Sequence, residues 1–177
     1  MANIVYIAES IDNYIADKNN SIEFLEIIDN PNNIDIGFNN FLEGIDAIVM
    51  GRRTYETVLS FSIGWPYTKP VFVLSSKLKN VFENHGENVF ILNKSPKDIV
   101  KYLNNKGYYN IYIDGGFTIQ KFLKANLIDE MILTTIPIIL GSGVPLFGNI
   151  DNSIEFELVK SEVLLNQVVS STYKKRK

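Results

Sequence analysis

Cysteine is absent from this 177-residue sequence, and histidine occurs only once, as His85. Without cysteine there is no disulfide bond and no thiolate nucleophile, which is compatible with a reducing cytoplasm. Zinc sites built from cysteine and histidine are excluded, and serine–histidine catalysis would require His85 to fold into a cleft. The polar residues 83–87 around this histidine are typical of a surface loop. We therefore predict a cytoplasmic protein without a metal site.

Strong charge and long apolar runs are also missing. The formal net charge is −3, with 21% charged and 46% hydrophobic residues, a balance typical of soluble globular proteins. This charge gives no overall attraction to nucleic acids or anionic membranes, and the basic residues 174–177 are typical of a solvated chain end. No apolar run is long enough to span a bilayer. We therefore expect neither a nucleic-acid nor a membrane partner.

Strand-like and helix-like segments alternate over the first two thirds of the chain. Short apolar runs predict buried strands at residues 4–8, 46–50, 71–74, 89–92 and 109–113. Capped or amphipathic segments predict helices at residues 22–28, 38–42, 52–61, 96–105 and 118–125, with Ser21 and Ser95 as N-caps of the first and fourth. This alternation predicts a mostly parallel sheet that is covered by helices on both faces.

The pattern changes beyond Asp129. Strands are predicted at residues 131–137, 154–163 and 168–173 without helices between them, and residues 164–167 suit a hairpin connection. Consecutive strands without crossover helices imply antiparallel pairing at one edge of the sheet. No internal repeat and no linker rich in glycine, serine or proline divides the chain. We therefore predict one α/β domain over residues 1–177.

Residues 46–56 contain the most informative local signal. An apolar run ends at Gly51, and Arg52, Arg53 and Thr54 follow in the first turn of a predicted helix. Glycine lets the backbone approach an anion, a helix start offers unpaired N–H groups and a positive dipole end, and arginine adds forked donors for phosphate oxygens. The segment indicates a phosphate-binding turn. An ordinary strand-to-helix turn with solvated arginines is the alternative interpretation.

Residues 111–123 repeat the order of strand, small-residue turn and helix, with Gly115 and Gly116 at the turn. Paired glycines permit close backbone approach to a ligand. Two such turns after buried strands are better explained by a shared ligand at the carboxyl ends of the strands. Neither turn matches the dinucleotide-binding G-x-G-x-x-G pattern or a Walker loop, so a nucleotide site here would have a different design.

Five segments together resemble the dihydrofolate reductase superfamily, and within it the branch that contains the reductase domain of bacterial riboflavin biosynthesis. They are, in chain order, residues 8–16, 50–56, 74–76, 114–116 and 137–147. The resemblance implies a single-domain, three-layer dihydrofolate reductase-like fold, with a mostly parallel sheet, helices on both faces and antiparallel C-terminal strands. It also implies an NADPH-dependent reductase that acts on a small molecule and forms a homodimer.

The same resemblance implies a cofactor site. Gly51, Arg53 and Thr54 would meet the pyrophosphate, and Arg52 would hold the 2′-phosphate, which favours NADPH over NADH. The residues implied beside the nicotinamide are Ala8, Ile15 and Ala16. The other implied contacts flank the turns and are Leu74, Ser75, Ser76, Asp114, Gly115, Gly116, Phe117 and Thr118. In this family the Gly115–Gly116 bond is associated with a cis peptide.

Reduction of a C=N bond would be helped by an acid that protonates nitrogen. The candidates are Glu23, whose position corresponds loosely to the acidic residue of folate reductases, and Asp12, near the implied nicotinamide site. Each has a simpler interpretation. Glu23 also suits a solvated carboxylate in a first helical turn, and Asp12 suits a turn-forming residue.

The chain departs from the riboflavin-pathway reductases at several positions. Those proteins usually have lysine where this chain has Tyr6, glycine where it has Asn13, and an Arg-Pro pair that is missing here. These differences argue against a phosphoribosyl substrate. We predict a reductase that transfers hydride to a small heterocyclic or imine-type substrate. The alternatives are dihydrofolate reductase activity and a nucleotide-binding protein without turnover.

Overall fold

The computed structural model describes residues 1–32, 34–61, 64–82 and 88–176. The predicted loop around His85 and the last basic residue, Lys177, lie outside the described residues. The strands, in chain order, are β1 (Ala2–Ser10), β2 (Tyr14–Asp17), β3 (Ala47–Gly51), β4 (Val71–Leu74), β5 (Val89–Leu92), β6 (Asn110–Asp114), β7 (Glu130–Ile136), β8 (Gly143–Pro145), β9 (Phe156–Leu164) and β10 (Val168–Lys175). The α-helices are α1 (Phe38–Glu43), α2 (Arg52–Leu59), α3 (Pro96–Asn104) and α4 (Gly116–Lys124).

Eight of the described strands form one sheet, in the order β5-β4-β3-β6-β1-β7-β10-β9. The six strands from β5 to β7 are parallel, whereas β10 runs antiparallel to β7 and β9 runs antiparallel to β10. Strands β2 and β8 pair with each other as a separate antiparallel ribbon. The predicted fold class, a mostly parallel sheet with an antiparallel C-terminal edge, is confirmed.

Helices cover both faces of the sheet because the parallel strands are apolar on both sides. On one face, Ile99 of α3 and Ile119 of α4 belong to a buried cluster that includes Val5 of β1. On the other face, Tyr55 of α2 packs into a second cluster, with the half-buried Phe38 of α1 against it. The structure therefore has three layers, as the resemblance implied.

Local signals placed several elements correctly. Strands β4 and β5 have the predicted bounds, and Ser95 caps α3 by accepting a hydrogen bond from the Asp98 N–H at 3.2 Å. The β9–β10 connection is a hairpin in which Leu165 and Asn166 have φ angles of 52° and 56°. Two consecutive left-handed residues match the twist of the flanking strands, so this tight turn fits the predicted hairpin.

Other sequence-based predictions were wrong. Residues 22–28 contain a 3₁₀ helix over Glu23–Ile27, and its N-cap is Ile22 rather than Ser21. Ser21 Oγ accepts from the Glu23 N–H at 3.2 Å. The turn closes through i to i+3 bonds such as Leu25 N–H to Ile22 C=O. Helix α4 begins at Gly116 rather than at 118. The ribbon of β2 and β8 was not predicted, since strands of four and three residues carry almost no periodicity.

The peptide bond between the paired glycines also differs from expectation. All peptide bonds of the described residues are trans, including the one between Gly115 and Gly116, where the resemblance implied a cis bond. The turn is made instead by the positive φ angle of Gly115, 86°, which glycine adopts without a side-chain clash. In the described part of the chain, no helix has the length and apolar character needed to cross a membrane.

Candidate functional site

The two glycine turns meet at one edge of the sheet. Strands β3 and β6 are parallel neighbours in which Met50 pairs with Asp114, so their carboxyl ends stop at the same level. Strand β4 ends beside them, with Gly51 paired to Leu74. The turns at residues 51–54 and 114–116 therefore leave adjacent strand ends on the same side of the molecule, as a shared ligand would require.

Contact between these turns is so close that it depends on glycine. A Cβ atom at Gly115 would overlap Thr54 Oγ1 and would lie 3.1 Å from Thr54 Cβ. A Cβ atom at Gly51 would lie 2.9 Å from Thr118 Oγ1. Each glycine thus accommodates a threonine from the opposite turn. This packing brings the starts of α2 and α4 together.

Both helix starts leave backbone donors available. Helix α2 has Gly51 as its N-cap and helix α4 has Gly115, and neither residue has a side chain that could bond the first N–H groups. The first N–H groups of a helix have no partner within the helix and carry the positive end of its dipole. Two such ends side by side form a cradle suited to a diphosphate, and a Cβ atom on either glycine would push against the threonine of the opposite turn.

Some of the basic and hydroxyl side chains around this edge already bind neighbouring residues. Arg52 Nη1 contacts both Glu56 carboxylate oxygens, at 2.6 and 2.9 Å, with 37% of the arginine side chain exposed. Arg53 and Ser76 are exposed. Ser75 Oγ accepts from the Lys77 and Leu78 N–H groups at 3.1 and 2.9 Å. A phosphate held by Arg52 would therefore compete with the Glu56 carboxylate.

The residues implied beside the nicotinamide lie at a cleft between β1 and β6. These strands pair only as far as Ile4 and Tyr112, whereas β1 continues to Ser10 along β7. Ala8, on that extended end, is half-buried. The β2–β8 ribbon packs against the start of α4, because a Cβ atom at Gly116 would lie 3.1 Å from Ile15 Cδ1 and 3.0 Å from the Pro145 carbonyl oxygen.

The other predicted site residues differ in how much of each is exposed. Ala16 is buried at 6% exposure within the β2–β8 ribbon, and Thr118 is buried against Gly51. Phe117, in contrast, is 70% exposed and lies beneath the Lys121 ammonium group, 4.5 Å from its ring centroid. The structure thus brings together the residues of the two turns and of the ribbon, and leaves Phe117 at their margin.

The two acid candidates have different surroundings. The Asp12 carboxylate accepts from Ser10 Oγ at 2.6 Å and from the Leu140 and Gly141 N–H groups at 3.0 and 2.7 Å. These hydrogen bonds, that of Ser10 foremost, lower the pKa of Asp12, which suits a turn-forming carboxylate better than a proton donor. Glu23 is exposed in the first turn of the 3₁₀ helix.

Two carboxyl groups at this edge, one buried and one half-buried, were missed as titrating groups. Glu9 is 4% exposed on β1 beside Ala8, and burial raises its pKa. Asp114 was predicted as a cofactor contact only, but burial raises its pKa to about 6, although the Gly115 N–H, which donates to it at 2.7 Å, and the nearby Tyr112 side chain oppose that shift. The signal available in the sequence was an acid within, or at the end of, an apolar strand.

A buried tyrosine cluster surrounds Asp114. The Tyr112 hydroxyl donates to the Tyr6 carbonyl oxygen at 3.0 Å, in the region where β1 and β6 separate. Burial and then the nearby Asp114 charge raise the pKa of Tyr67 and of Tyr112 well above the ordinary range. Asp114 therefore lies near neutral phenols. None of the groups that shift its pKa is a cation that could offset its charge.

The raised pKa of Asp114 predicts a pH-dependent change in stability. Below about pH 4 the carboxyl is protonated in both folded and unfolded protein, and above about pH 6 the folded protein must hold a buried charge. Asp114→Asn should therefore raise the free energy of unfolding on the order of 2 kcal/mol at pH 8 and leave it almost unchanged at pH 3. Urea unfolding at both pH values measures this, with the exposed Asp151→Asn as the control. An equal effect at both pH values would contradict the prediction.

Comparisons with known proteins show the family and the fold of this chain. Residues 3–170 match the RibD C-terminal domain family. The uncharacterized protein YwjB of Bacillus subtilis (strain 168) is 32% identical over 157 residues, which cover 88% of this chain and 87% of that protein. The crystal structure of a putative riboflavin biosynthesis protein from Shewanella sp. PV-4 is 50% identical, covers 100% of both chains and superposes with a TM-score of 0.96.

A more distant structure shares the fold. Dihydrofolate reductase from Enterococcus faecalis, solved in complex with NADP(H) and RAB-propyl, has a TM-score of 0.65 at 19% identity and covers 99% of this chain and 97% of its own. The fold is thus dihydrofolate reductase-like, and the similarities support a reductase-like function. The match over residues 3–170 shows that this chain belongs to the RibD C-terminal domain family.

Proposed function

We propose that this protein is an NADPH-dependent reductase that transfers hydride to a small heterocyclic or imine-type substrate. The observation that carries the proposal is the packing of Thr54 against Gly115, which places two uncapped helix starts side by side at the sheet edge. Such a cradle suits a dinucleotide diphosphate. The fold shared with a reductase that was solved with NADP(H) gives the second line of support.

The residues at the edge fit the parts of such a cofactor. The N–H groups that begin α2 and α4 would hold the diphosphate, and Arg52, with Ser76 nearby, would hold a 2′-phosphate. Ala8, Ile15 and Ala16 would form the surface against which a nicotinamide ring packs. When bound, the cofactor supplies the hydride, so the protein must orient the substrate and exclude water.

The substrate side of the cleft has polar groups in reach. Thr134 pairs with Ala8 across β1 and β7, is 2% exposed, and has a hydroxyl without a hydrogen-bond partner among the described residues. A buried unsatisfied hydroxyl is costly, so a polar ring that bonds it would gain affinity. Glu23 remains the candidate proton donor of this proposal, since both oxygens of Asp12 accept hydrogen bonds.

One experiment separates this proposal from its alternatives. NADPH and NADH are titrated by fluorescence, and loss of NADPH absorbance is then followed with dihydrofolate and with a panel of cyclic imines. We expect NADPH to bind more tightly than NADH and to be oxidised by an imine. Oxidation by dihydrofolate alone would favour dihydrofolate reductase activity, and tight binding without oxidation would favour a nucleotide-binding protein. Absence of NADPH binding would refute the proposal.

Arg52→Ala tests the 2′-phosphate contact. Loss of a charge-assisted contact should weaken NADPH binding about 10- to 100-fold and leave NADH binding within about threefold, because NADH lacks the 2′-phosphate. The matched control is Arg176→Ala. Arg176 is also paired with a glutamate, Glu155, but it lies just after the end of β10. Dissociation constants for both cofactors measure the effect. An equal loss for NADPH and NADH would refute the assignment.

Gly115→Ala tests the cradle itself. Gly115 and Gly107 have nearly the same φ angle, 86° and 87°, but a Cβ atom at Gly107 meets no heavy atom within 4 Å, whereas one at Gly115 overlaps Thr54. Gly107→Ala should cost only the backbone strain of about 1 kcal/mol. Gly115→Ala should lower the melting temperature further and weaken NADPH binding at least about tenfold, because the helix starts are pushed apart. Equal behaviour of the two variants in melting and binding would show that the close contact is unimportant.

We also propose that two copies associate through β9. This strand is the last in the sheet order and exposes Leu158, Val159 and Val163 by 59%, 52% and 64%. Edge strands with apolar side chains are prone to pair with another chain. Sedimentation velocity at micromolar concentration should give a dimer that Val163→Lys converts to a monomer, whereas the exposed apolar control Ile139→Lys should not. A monomeric wild-type protein would overturn this proposal.

A further inference from the structure

Glu9 is an unusual residue for its position. It lies next to the last residue of the strand β1, where it pairs with Thr135 of β7, and it is 4% exposed. Among the described residues, its carboxylate accepts one side-chain hydrogen bond, from Asn13 Nδ2 to Oε2 at 3.2 Å. Burial raises its pKa and the Asn13 bond only partly opposes that shift. The group is thus a buried acid with a single neutral partner.

Such a group lowers the stability of the fold. Removing a carboxylate from water costs free energy that one amide bond does not recover, and an apolar residue, Val5, fills another buried position of β1. A residue that weakens the fold is most often retained where it serves a site. Glu9 is next to Ala8, at the edge where the two helix starts meet.

Asn13 connects this acid to the ribbon beside the cleft. It has a φ angle of 63°, its backbone N–H donates to the Ser10 carbonyl oxygen at 2.9 Å, and its own carbonyl oxygen accepts from Leu146 N–H at 2.8 Å. The chain then enters β2, in which Ile15 packs against the start of α4 at Gly116. Asn13 is therefore part of the turn from which β2 begins, and its side chain ties that turn to Glu9.

Two anchors hold this turn, one exposed and one buried. Asp12 binds the Leu140 and Gly141 N–H groups on the outside, and Glu9 binds the Asn13 amide from beneath. The outer anchor joins the turn to the segment after β7. The inner anchor joins it to β1 itself, and thus sets how β2 lies over the end of that strand.

From this geometry we propose that Glu9 is a positioning residue, which acts through the Asn13 side chain to hold β2 in the arrangement that receives the nicotinamide end of the cofactor. The proposal rests on the function proposed above. A turn already held in its binding arrangement costs less conformational entropy when the ligand binds, so the contact should appear as affinity for cofactor.

Asn13→Gly gives the most direct test. Glycine accepts a φ angle of 63° without strain, so the variant removes the amide and leaves the backbone able to keep its shape. The dissociation constant for NADPH should rise about 3- to 10-fold, as expected for the loss of one hydrogen bond to a charged acceptor. The matched control is Asn126→Gly, another left-handed asparagine, φ 59°, between α4 and β7 at the opposite end of the parallel strands, which should leave the dissociation constant unchanged.

Substitutions at Glu9 test the other side of the contact. Glu9→Leu removes the acceptor and should weaken NADPH binding as much as Asn13→Gly, and the double variant should be no weaker than either single one, since both break the same contact. Glu9→Gln keeps an acceptor oxygen and should restore part of the affinity. Because the raised pKa means that the charged form lowers stability at high pH, both Glu9 variants should melt above the wild type at pH 8 and Glu9→Gln should match it at pH 4.

The outcomes separate this inference from the function on which it rests. Failure of the wild-type protein to bind NADPH overturns the proposed function and the inference with it. Wild-type binding together with unchanged affinity in Asn13→Gly overturns the inference alone. Additive losses in the double variant would also overturn it, because the two residues would then act separately. Weaker binding in variants that melt at or above the wild-type temperature at pH 8 is the supporting result, since a merely structural role would not separate affinity from stability in this way.

Discussion

The contact of Thr54 with Gly115 governs the organisation of the functional edge. Because β3 and β6 are parallel neighbours that end at the same level, the two turns that follow them must pass each other within van der Waals distance. Only a residue without a Cβ atom leaves room for the threonine. This constraint fixes the starts of α2 and α4 side by side, and the proposed phosphate site depends on the unpaired N–H groups of these starts.

Charge at this edge is distributed unevenly. The chain as a whole has a net charge of −3, so attraction for a phosphate must come from local features, namely the two helix starts and Arg52. Close by are two acids whose pKa is raised by burial, the buried Glu9 and the half-buried Asp114. Buried acids lower stability, and their presence near the cradle is typical of a site where function opposes stability. Glu56 adds a competing carboxylate that holds Arg52 in place.

Prediction from sequence succeeded where the signal was local. The apolar runs of β4 and β5, the Ser95 cap and the glycine turn after β3 each depend on a few consecutive residues, and their predicted placements agree with the structure. It failed where an element owes its form to a distant segment. The β2–β8 ribbon forms because Tyr14 pairs with Pro145, which is far away in the sequence. The 3₁₀ helix has only one buried residue among its five, Phe24, which is too little burial to specify a longer helix.

The sequence by itself determined the family, the strand–turn–helix order and the two turns that together indicate a phosphorylated ligand, because glycine, arginine and capping residues act over a few positions of chain. Only the tertiary structure decided that Gly115 contacts Thr54 and that Glu9 is buried. It also decided that the Asp12 carboxylate accepts hydrogen bonds from the Leu140 and Gly141 N–H groups. These contacts depend on the order of strands in the sheet. That order is set by the packing of the whole chain, which local propensity does not encode.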